Sequence, residues 1–377
     1  MLVTHLECLR CGNHYSMDPR AYLCPRCGTG GERADPGILD VHYDYVAARR
    51  SLPFLARNDV FRYMPLLPVR GAAPVLPAGA TPLVPAPKLA QRLGLAALYL
   101  KDETRNPTRC LKDRATAIGA TLALESGATD VYCASAGNAA ISLAGFAAHL
   151  GLRCHVFVPS YASPTRLDWL NRFGAQTHVS SGNYDQAFAE AEQTGTENRW
   201  YSRNCAFNPF LVEGKKTCGL ETAEQLPGAA ADLVIAPVGD GCTLAAIGKG
   251  FREALELGIA RRLPRLVGVQ AEGVQPMVSR YRGGVPAPDA ETAASSIAVR
   301  RPRNALRLLG ELRASHGEML AVPDAAIAAA QQRLAEDGGI VAEFTSAVTL
   351  AGLEALAARE SLAGKTAVLV ITGGRLD

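Results

Sequence analysis

Residues 130–151 read DVYCASAGNAAISLAGFAAHLG. The stretch opens with a short, largely apolar run, which is typical of a buried strand. The residues after it are rich in alanine, favour a helix, and end at Gly151, a residue suited to a helix C-cap. A strand that leads through a tight turn into a helix predicts one unit of a parallel α/β sheet.

The same alternation continues through most of the chain. Other alanine-rich segments, such as 113–127 and 184–195, also end at a glycine and predict helices. Further apolar runs of strand length lie at 95–101, 153–159, 176–181, 232–239, 265–272 and 365–374. The predicted fold class is therefore α/β, with more strand–helix units than one Rossmann-like layer contains.

Length and composition limit the possible functions. A chain of 377 residues is long enough for two domains and a small appendage. The net charge is only +3 and the basic residues are scattered, so we expect no nucleic-acid partner. We expect no membrane partner, because no uninterrupted apolar run reaches about 18 residues. The start, MLVTHLECLRCG, resembles neither a secretory nor an organelle signal, which predicts a cytoplasmic location.

Four of the ten cysteines form two closely spaced pairs. Cys8 and Cys11 make one CxxC, and Cys24 and Cys27 make a second after residues 12–23. Thiolates at this spacing suit a tetrahedral zinc or iron site, and four protein ligands leave no open position for catalysis. We therefore expect structural zinc; the alternative is a knuckle that has no metal. The other cysteines occur singly, which favours free thiols.

Four loops follow predicted strands, and ligands gather at the carboxyl ends of parallel strands. They are KDETRNPTRCLKDR (101–114), SAGNAA (135–140), PVGDGCTL (237–244) and ITGGRLD (371–377). The third places glycines before a helix, where backbone amides can bind a phosphate. An aldehyde cofactor with a phosphate group needs a lysine, a phosphate-binding turn and a partner for its ring nitrogen. These four loops supply a lysine, an anion-binding turn, a Ser/Asn turn and a hydroxyl near the end of the chain.

These loops also resemble a known family. The segment KDETRNPTRCLKDRA is similar to the KDEGxNPTGSFKDR motif of threonine synthases, and ASAGNAAISLA is similar to their SSGNxAAS turn. Other similar segments follow in the family's order: YDY (43–45), SGNYDQA (181–187), NPFLVEGKKT (208–217), PVGDGCTL (237–244), GVQAEG (268–273) and TGGRLD (372–377). The chain thus resembles, over nearly its whole length, a pyridoxal-phosphate enzyme of the tryptophan synthase β-like family, fold type II.

The resemblance implies an architecture. It consists of two open, twisted, mostly parallel sheets with helices on both faces, plus a zinc-ribbon-like knuckle at 1–35. A large domain that binds pyridoxal 5′-phosphate would comprise 36–125 and 210–377, and a small inserted α/β domain would comprise 126–209. The resemblance also implies a homodimer and a small amino-acid substrate.

The resemblance also assigns roles to individual residues. Lys112 matches the lysine that binds the cofactor as a Schiff base and later moves protons, and Asn138 matches the asparagine that bonds the cofactor's 3′ oxygen. Thr372 matches the hydroxyl at the pyridine nitrogen, a partner that favours elimination and replacement over transamination. The phosphate loop comprises Gly239, Asp240, Gly241, Cys242 and Thr243. The substrate carboxylate turn comprises Ser135, Ala136 and Gly137.

Some departures from the family's pattern concern the predicted site. Arg109, Cys110 and Leu111 replace Gly-Ser-Phe before the lysine, Ala136 replaces the second serine of the SSGN turn, and Leu211 replaces the arginine of the family's NPxRxEGQKT pattern. The last two changes remove donors that could bind a substrate phosphate. Arg109 either restores positive charge from another direction or closes the pocket to a different acid.

We therefore expect a lyase or replacement enzyme acting at the β or γ carbon of an amino acid, specialised for an altered substrate. The alternatives are a true threonine synthase acting on O-phosphohomoserine, an ammonia-lyase of the serine/threonine dehydratase type, and a non-catalytic paralogue.

Residues near the motifs have more modest interpretations. Asp113 and Arg114 are expected to orient the helix start, and Cys110 is expected to pack in the core, as is Cys242 of the phosphate loop. Two readings of the lysines at 215–216 stay open: contact with an anionic substrate, or a solvated helix start.

Overall fold

The computed structural model describes residues 1–30, 35–284 and 290–374. The strands in these ranges are β1 (Val3–Cys8), β2 (His14–Tyr15), β3 (Leu39–Tyr43), β4 (Leu83–Pro85), β5 (Ala97–Asp102), β6 (Asp130–Ala134), β7 (Arg153–Val158), β8 (Gln176–Val179), β9 (Tyr201–Ser202), β10 (Leu233–Pro237), β11 (Arg265–Ala271), β12 (Glu318–Val322) and β13 (Thr366–Ile371).

The α-helices in the same ranges are α1 (Tyr45–Arg50), α2 (Pro87–Arg92), α3 (Lys112–Glu125), α4 (Asn138–Leu150), α5 (Pro164–Arg172), α6 (Tyr184–Glu197), α7 (Phe210–Gln225), α8 (Cys242–Glu256), α9 (Pro276–Tyr281), α10 (Ala305–Ala314), α11 (Asp324–Glu336) and α12 (Phe344–Ala357). Short 3₁₀ helices lie at Val60–Leu66, Glu103–Arg105, Pro227–Ala229 and Ser295–Ile297. In the part of the chain that the structure describes, no helix is long and apolar enough to cross a membrane.

The chain forms two compact units. The first contains Met1–Ala80 and Asn106–Lys215, and the second contains Thr81–Arg105 and the described residues from Lys216 onward. These borders differ from the predicted domain borders, which follow residues 35, 125 and 209. Two packings within the first unit account for the difference, since β3 pairs with β1 of the knuckle and α3 packs against α4. The predicted division into a knuckle, a large cofactor-binding domain and a small inserted domain stays a prediction.

The second unit is built on a six-stranded sheet with the order β12-β11-β10-β13-β5-β4. All neighbouring pairs are parallel except β4 with β5. The central strands β10 and β13 are buried almost throughout, as expected for strands covered on both faces. Because these two strands are parallel neighbours, the loops that follow them leave the same edge of the sheet.

The first unit contains two sheets. Strands β8, β7, β6 and β9 form a parallel sheet in that order, and α4 and α6 pack against β6 and β7. The N-terminal knuckle carries an antiparallel sheet with the order β2-β1-β3. The predicted α/β class with mostly parallel sheets is confirmed.

A buried ion pair in the second unit yields a prediction about stability. The Nζ of Lys101 is fully buried and donates to Glu221 Oε1 at 2.5 Å, to Thr81 O at 2.7 Å and to Gln225 Oε1 at 2.7 Å. Lys101→Met would leave the Glu221 carboxylate buried without its cation. We therefore expect the free energy of unfolding to fall by about 3–5 kcal/mol in urea denaturation.

The matched control for this change is Lys88→Met, at an exposed lysine on α2. Its unfolding curve should stay close to that of the wild type. Equal stability of the two variants would show that the Lys101 cluster adds nothing to the fold.

Candidate active site

The lysine loop is shaped by a buried carboxylate. Lys112 is the first residue of α3, and the next residue, Asp113, is fully buried. The carboxylate of Asp113 accepts hydrogen bonds from the backbone N–H of Thr108, at 2.6 Å, and from the Thr108 hydroxyl. Burial raises the pKa of Asp113, although hydrogen bonds from Ser142 and Thr108 act to lower it. Asp113 thus closes the turn that precedes Lys112, which is the structural role expected for it.

Arg109 has a backbone conformation that suits glycine. Its φ is 63°, in the left-handed region, which costs a residue with a Cβ roughly 1–2 kcal/mol. The threonine synthase motif has glycine at this position, so the loop keeps the same backbone shape while presenting an exposed arginine side chain.

The Ser/Asn turn begins α4, whose first residue is Asn138. Ser135 Oγ accepts a hydrogen bond from the N–H of Gly137 at 3.0 Å, and Arg166 Nη1 donates to the carbonyl of Ala136 at 3.3 Å. A Cβ on Gly137 would lie 2.9 Å from Arg166 Nη1, so the guanidinium packs closely against this turn. Arg166, which no motif identified, therefore stabilises the turn through its hydrogen bond to the carbonyl of Ala136.

The lysine loop and the Ser/Asn turn are neighbours within the first unit. Cys110 Sγ lies 3.8 Å from the carbonyl oxygen of Asn138, and the hydroxyls of Thr116 and Ser142 are 2.7 Å apart. These contacts join the first turns of α3 and α4. The structure thus brings the predicted cofactor lysine and the predicted carboxylate turn to adjacent helix N-termini.

A buried cationic cluster, formed by Arg203, Cys205 and Lys215, adjoins the lysine loop. The Arg203 side chain donates to the carbonyl of Lys112 at 3.2 Å, to Thr116 Oγ1 at 3.2 Å and to Cys205 Sγ at 3.2 Å. Lys215 Nζ also lies 3.2 Å from Cys205 Sγ. Arg203 is 3% exposed and Lys215 is 0% exposed, so both cationic side chains lie away from bulk water.

The interpretation of Lys215 and Lys216 as a solvated helix start is wrong, since both lysines are fully buried. Lys216 pairs with Glu253 at 2.9 Å, a partner on α8 in the second unit. The local sequence does not reveal this burial because the partners are distant along the chain.

The predicted phosphate loop joins β10 to α8 in the second unit. Gly241 has φ 97°, and a Cβ there would lie 3.1 Å from the carbonyl oxygen of Asn304. The carboxylate of Asp240 accepts hydrogen bonds from Arg303 N at 2.6 Å and from Asn304 Nδ2 at 2.5 Å. These contacts from residues 303–304 stabilise the loop. The first backbone amides of α8 follow it, and a helix N-terminus of this kind suits a phosphate.

Thr372 follows β13 and so lies at the same sheet edge as the phosphate loop. Its hydroxyl is 3.0 Å from Ser346 Oγ, and both side chains are buried. Ser346 Oγ accepts from the N–H of Gly373 at 2.9 Å and donates to the Gly373 carbonyl at 3.0 Å. Ser346, at the start of α12, thus fixes the orientation of the Thr372 hydroxyl. The last three residues of the TGGRLD segment lie outside the described residues.

The four N-terminal cysteines converge in the knuckle. Their Sγ atoms all lie within 4.8 Å of one another, and those of Cys11 and Cys24 are 3.7 Å apart. That separation matches the edge, about 3.8 Å, of a tetrahedral zinc–thiolate site with bonds of about 2.3 Å. Burial raises the pKa of Cys24, but hydrogen bonds from the Tyr15 hydroxyl and from backbone amides outweigh it and lower that pKa to about 6. The donor set therefore fits a thiolate metal site.

Comparison with known proteins gives a consistent result. Residues 75–373 match the family model described as pyridoxal-phosphate dependent enzyme. The chain is 37% identical over 379 residues to a threonine synthase of Methanosarcina acetivorans, with 99% of this chain and 91% of that protein covered. It is 35% identical over 379 residues to a threonine synthase of Methanocaldococcus jannaschii, with 98% and 91% covered.

Solved structures show the same architecture. A threonine deaminase of T.th. superposes with a TM-score of 0.67 at 26% identity, covering 79% of this chain and 93% of that one. The processed form of threonine deaminase isoform 2 from Solanum lycopersicum gives a TM-score of 0.68 at 23% identity, covering 79% and 84%. The second similarity, at this lower identity, concerns the fold alone.

Proposed function

We propose, from the premise that this chain belongs to the pyridoxal-phosphate-dependent enzyme family, that it is a threonine synthase-like lyase. It would catalyse elimination or replacement at the β or γ carbon of an amino acid. The observation that carries the proposal is the position of Lys112, which starts α3 beside the turn that starts α4.

Each unit carries residues of the kinds that would hold the cofactor. Bound pyridoxal phosphate supplies an aldehyde that binds amino groups and a ring that withdraws electrons from the substrate's α carbon. Lys112 would hold it covalently, and Asn138 would bond its 3′ oxygen. The loop at 239–243 would bind its phosphate, which is supported by the position of this loop at the N-terminus of α8. Thr372 would face the ring nitrogen.

Each group of residues then has a task in the reaction. Lys112 Nζ takes the α proton of the substrate, as a general base at the start of a helix held by Asp113. The turn at Ser135–Gly137 binds the substrate carboxylate and so orients the α carbon. Ser346 keeps the Thr372 hydroxyl in place. A hydroxyl facing the ring nitrogen would limit how strongly the ring withdraws electrons and would favour loss of a β or γ substituent.

The substrate is proposed to differ from that of threonine synthases. Leu211 is fully buried, and a Cβ on Gly119 of α3 would lie 2.7 Å from its Cδ2, so the position is packed with hydrocarbon. Positive charge is supplied elsewhere, by Arg203 and Lys215 around Cys205 and by the exposed Arg109. The exposed Arg109 supports a specialised paralogue that binds an anionic group in another position.

Two other functions have supporting observations. The relatives named threonine synthase, at 35–37% identity, favour a true threonine synthase acting on O-phosphohomoserine. The similarity to the threonine deaminase of T.th. favours a dehydratase-type ammonia-lyase.

A substrate panel separates these possibilities. The protein supplied with pyridoxal phosphate is incubated with O-phospho-, O-acetyl- and free hydroxy-amino acids, with and without added nucleophiles. Ketoacid and ammonia formed from the free hydroxy-amino acids would indicate a dehydratase, and threonine would indicate a threonine synthase. Ketoacid and ammonia formed only from O-acetyl- or O-phospho-amino acids, or a different amino acid, would indicate the proposed paralogue. No turnover of any panel member would contradict the proposal.

The knuckle is proposed to hold one structural zinc ion per chain through Cys8, Cys11, Cys24 and Cys27. Mass spectrometry of protein purified without chelator and then dialysed should find about one zinc. Cys24→Ser should lose that zinc and unfold more easily, because metal binding contributes to the stability of the knuckle. Cys205→Ser, outside the knuckle, is the control and should retain the zinc. Wild-type protein without zinc would contradict the proposal.

A cytoplasmic location and a homodimer belong to the same proposal. The dimer is implied by the resemblance to the family, and light scattering coupled to gel filtration tests it directly: a mass near twice 39.8 kDa is expected.

A further inference from the structure

The outer face of the knuckle sheet gathers metal-binding side chains that the four-cysteine site does not use. Along β1, Leu6 and Cys8 are buried, whereas the alternating residues His5 and Glu7 lie on the other face and are half-buried. On the neighbouring strand β3, His42 is the pairing partner of His5.

Two further ligand types join this face through the sheet register. Asp40 of β3 and His14 of β2 are both paired with Glu7 of the central strand. Residues paired across antiparallel strands project to the same face of the sheet. Three histidines and two carboxylates from three strands therefore share one face.

The distances show how closely these groups approach. The ligand atoms of His5, Glu7 and His42 all lie within 4.8 Å of one another. His42 Nε2 is 3.0 Å from Glu7 Oε2 and 3.8 Å from Asp40 Oδ2. The His5 ring stacks on those of His42 and His14, with centroid separations of 4.6 and 4.1 Å.

We infer that His5, Glu7 and His42 form a second metal site, for a divalent transition-metal ion such as Ni²⁺ or Zn²⁺. Two imidazoles and one carboxylate suit these ions, whereas Ca²⁺ and Mg²⁺ prefer sites made of oxygen ligands alone. Thr4 Oγ1 lies 3.0 Å from His5 Nδ1, so Nε2 is the ring nitrogen left for a metal while that contact is kept. A simple ion pair between His42 and Glu7 is the alternative explanation. It would not account for the ligand atom of His5 also lying within 4.8 Å of both partners.

The arrangement also indicates how the site binds. The rings of His5 and His42 are 5° from parallel, so their in-plane lone pairs do not converge on one point. Binding therefore requires the stacked rings to tilt apart, and the ion is exchangeable rather than permanently held. This distinguishes the site from the four-cysteine cluster, in which the Sγ atoms of Cys11 and Cys24 already lie 3.7 Å apart.

Calorimetric titration tests the inference on the full chain without a histidine tag, after loading with one equivalent of zinc and dialysis. Ni²⁺ is the probe because the cysteine site retains zinc while the imidazoles remain accessible. We expect one Ni²⁺ per chain. The variant with His5→Gln and His42→Gln should bind it at least about 10- to 100-fold more weakly.

The control carries His149→Gln and His316→Gln, at exposed histidines outside the knuckle, and should bind Ni²⁺ like the wild type. Glu7→Gln is a second test that leaves both imidazoles in place, and it should weaken binding about tenfold or more if the carboxylate is a ligand. Circular dichroism verifies that each variant is folded. The inference is overturned if wild type shows no stoichiometric Ni²⁺ binding, or if both knuckle variants bind Ni²⁺ with wild-type affinity.

Discussion

Lys112→Ala is expected to abolish turnover and to remove the covalent bond between cofactor and protein. Lys112 is proposed to perform two tasks, binding the cofactor's aldehyde and taking the substrate's α proton. Loss of a positioned general base alone lowers a rate by about 10²–10⁴-fold, and loss of the covalent bond adds to this. The variant should still fold, because Lys112 is a terminal residue of α3 and its neighbour Asp113 continues to hold the loop.

Borohydride reduction followed by peptide mapping provides the measurement. In the wild type, the label should appear on the peptide containing Lys112, and in Lys112→Ala no lysine should be labelled. Lys365→Ala, at an exposed lysine just before β13, is the control and should retain both label and activity. A label on any other lysine of the wild type would refute the assignment.

The sequence predicted the architecture because its signals are local. The apolar runs at 130–136 and 153–159 correspond to β6 and β7, and the alanine-rich segments between strands correspond to helices. Each such signal depends on residues within one element, so strand and helix type could be inferred without knowledge of the packing. The edge strand β4 and the two-residue strand β9 carry too few residues for any periodicity and were not predicted.

Most of the supporting contacts around the candidate site were beyond the reach of sequence reasoning. Arg203 bonds the carbonyl of a residue 91 positions earlier, and Asn304 bonds Asp240 across 64 positions. Nothing in the local sequence of either partner indicates the other. The motif residues themselves, from Lys112 to Thr372, were found through resemblance, and their roles stay predictions that the experiments above test.

O-phosphohomoserine is expected to be a poor substrate, although the relatives of this chain are threonine synthases. The family's arginine is Leu211 here and one of its serines is Ala136. Each lost charge-assisted hydrogen bond to a phosphate is worth roughly 1.5–3 kcal/mol, or about one to two orders of magnitude in affinity. We therefore expect kcat/KM for threonine formation to stay below the ordinary enzyme range, which begins near 10⁴ M⁻¹s⁻¹.

Arg109 and Lys215 are the positive charges that could replace the family's lost phosphate donors, and each can be tested separately. Arg109→Gly restores the family's residue at a backbone position with φ 63°, so the loop should keep its shape while losing the guanidinium. Lys215→Gln restores the residue that precedes the family's Lys-Thr and removes one cation beside Cys205. If these cations bind the substrate of the paralogue, each change should lower kcat/KM for the best substrate of the panel by about tenfold or more.

The same two variants are also informative if O-phosphohomoserine proves to be a good substrate. Efficient conversion of O-phosphohomoserine to threonine by the wild type, with kcat/KM above about 10⁴ M⁻¹s⁻¹, would show that this chain is a threonine synthase. Arg109 or Lys215 would then have taken over phosphate binding, and the corresponding variant should lose that activity. Because Arg109 lies in the lysine loop and Lys215 lies in the buried cluster with Arg203, the more damaging variant would locate the substrate's anionic group relative to Lys112.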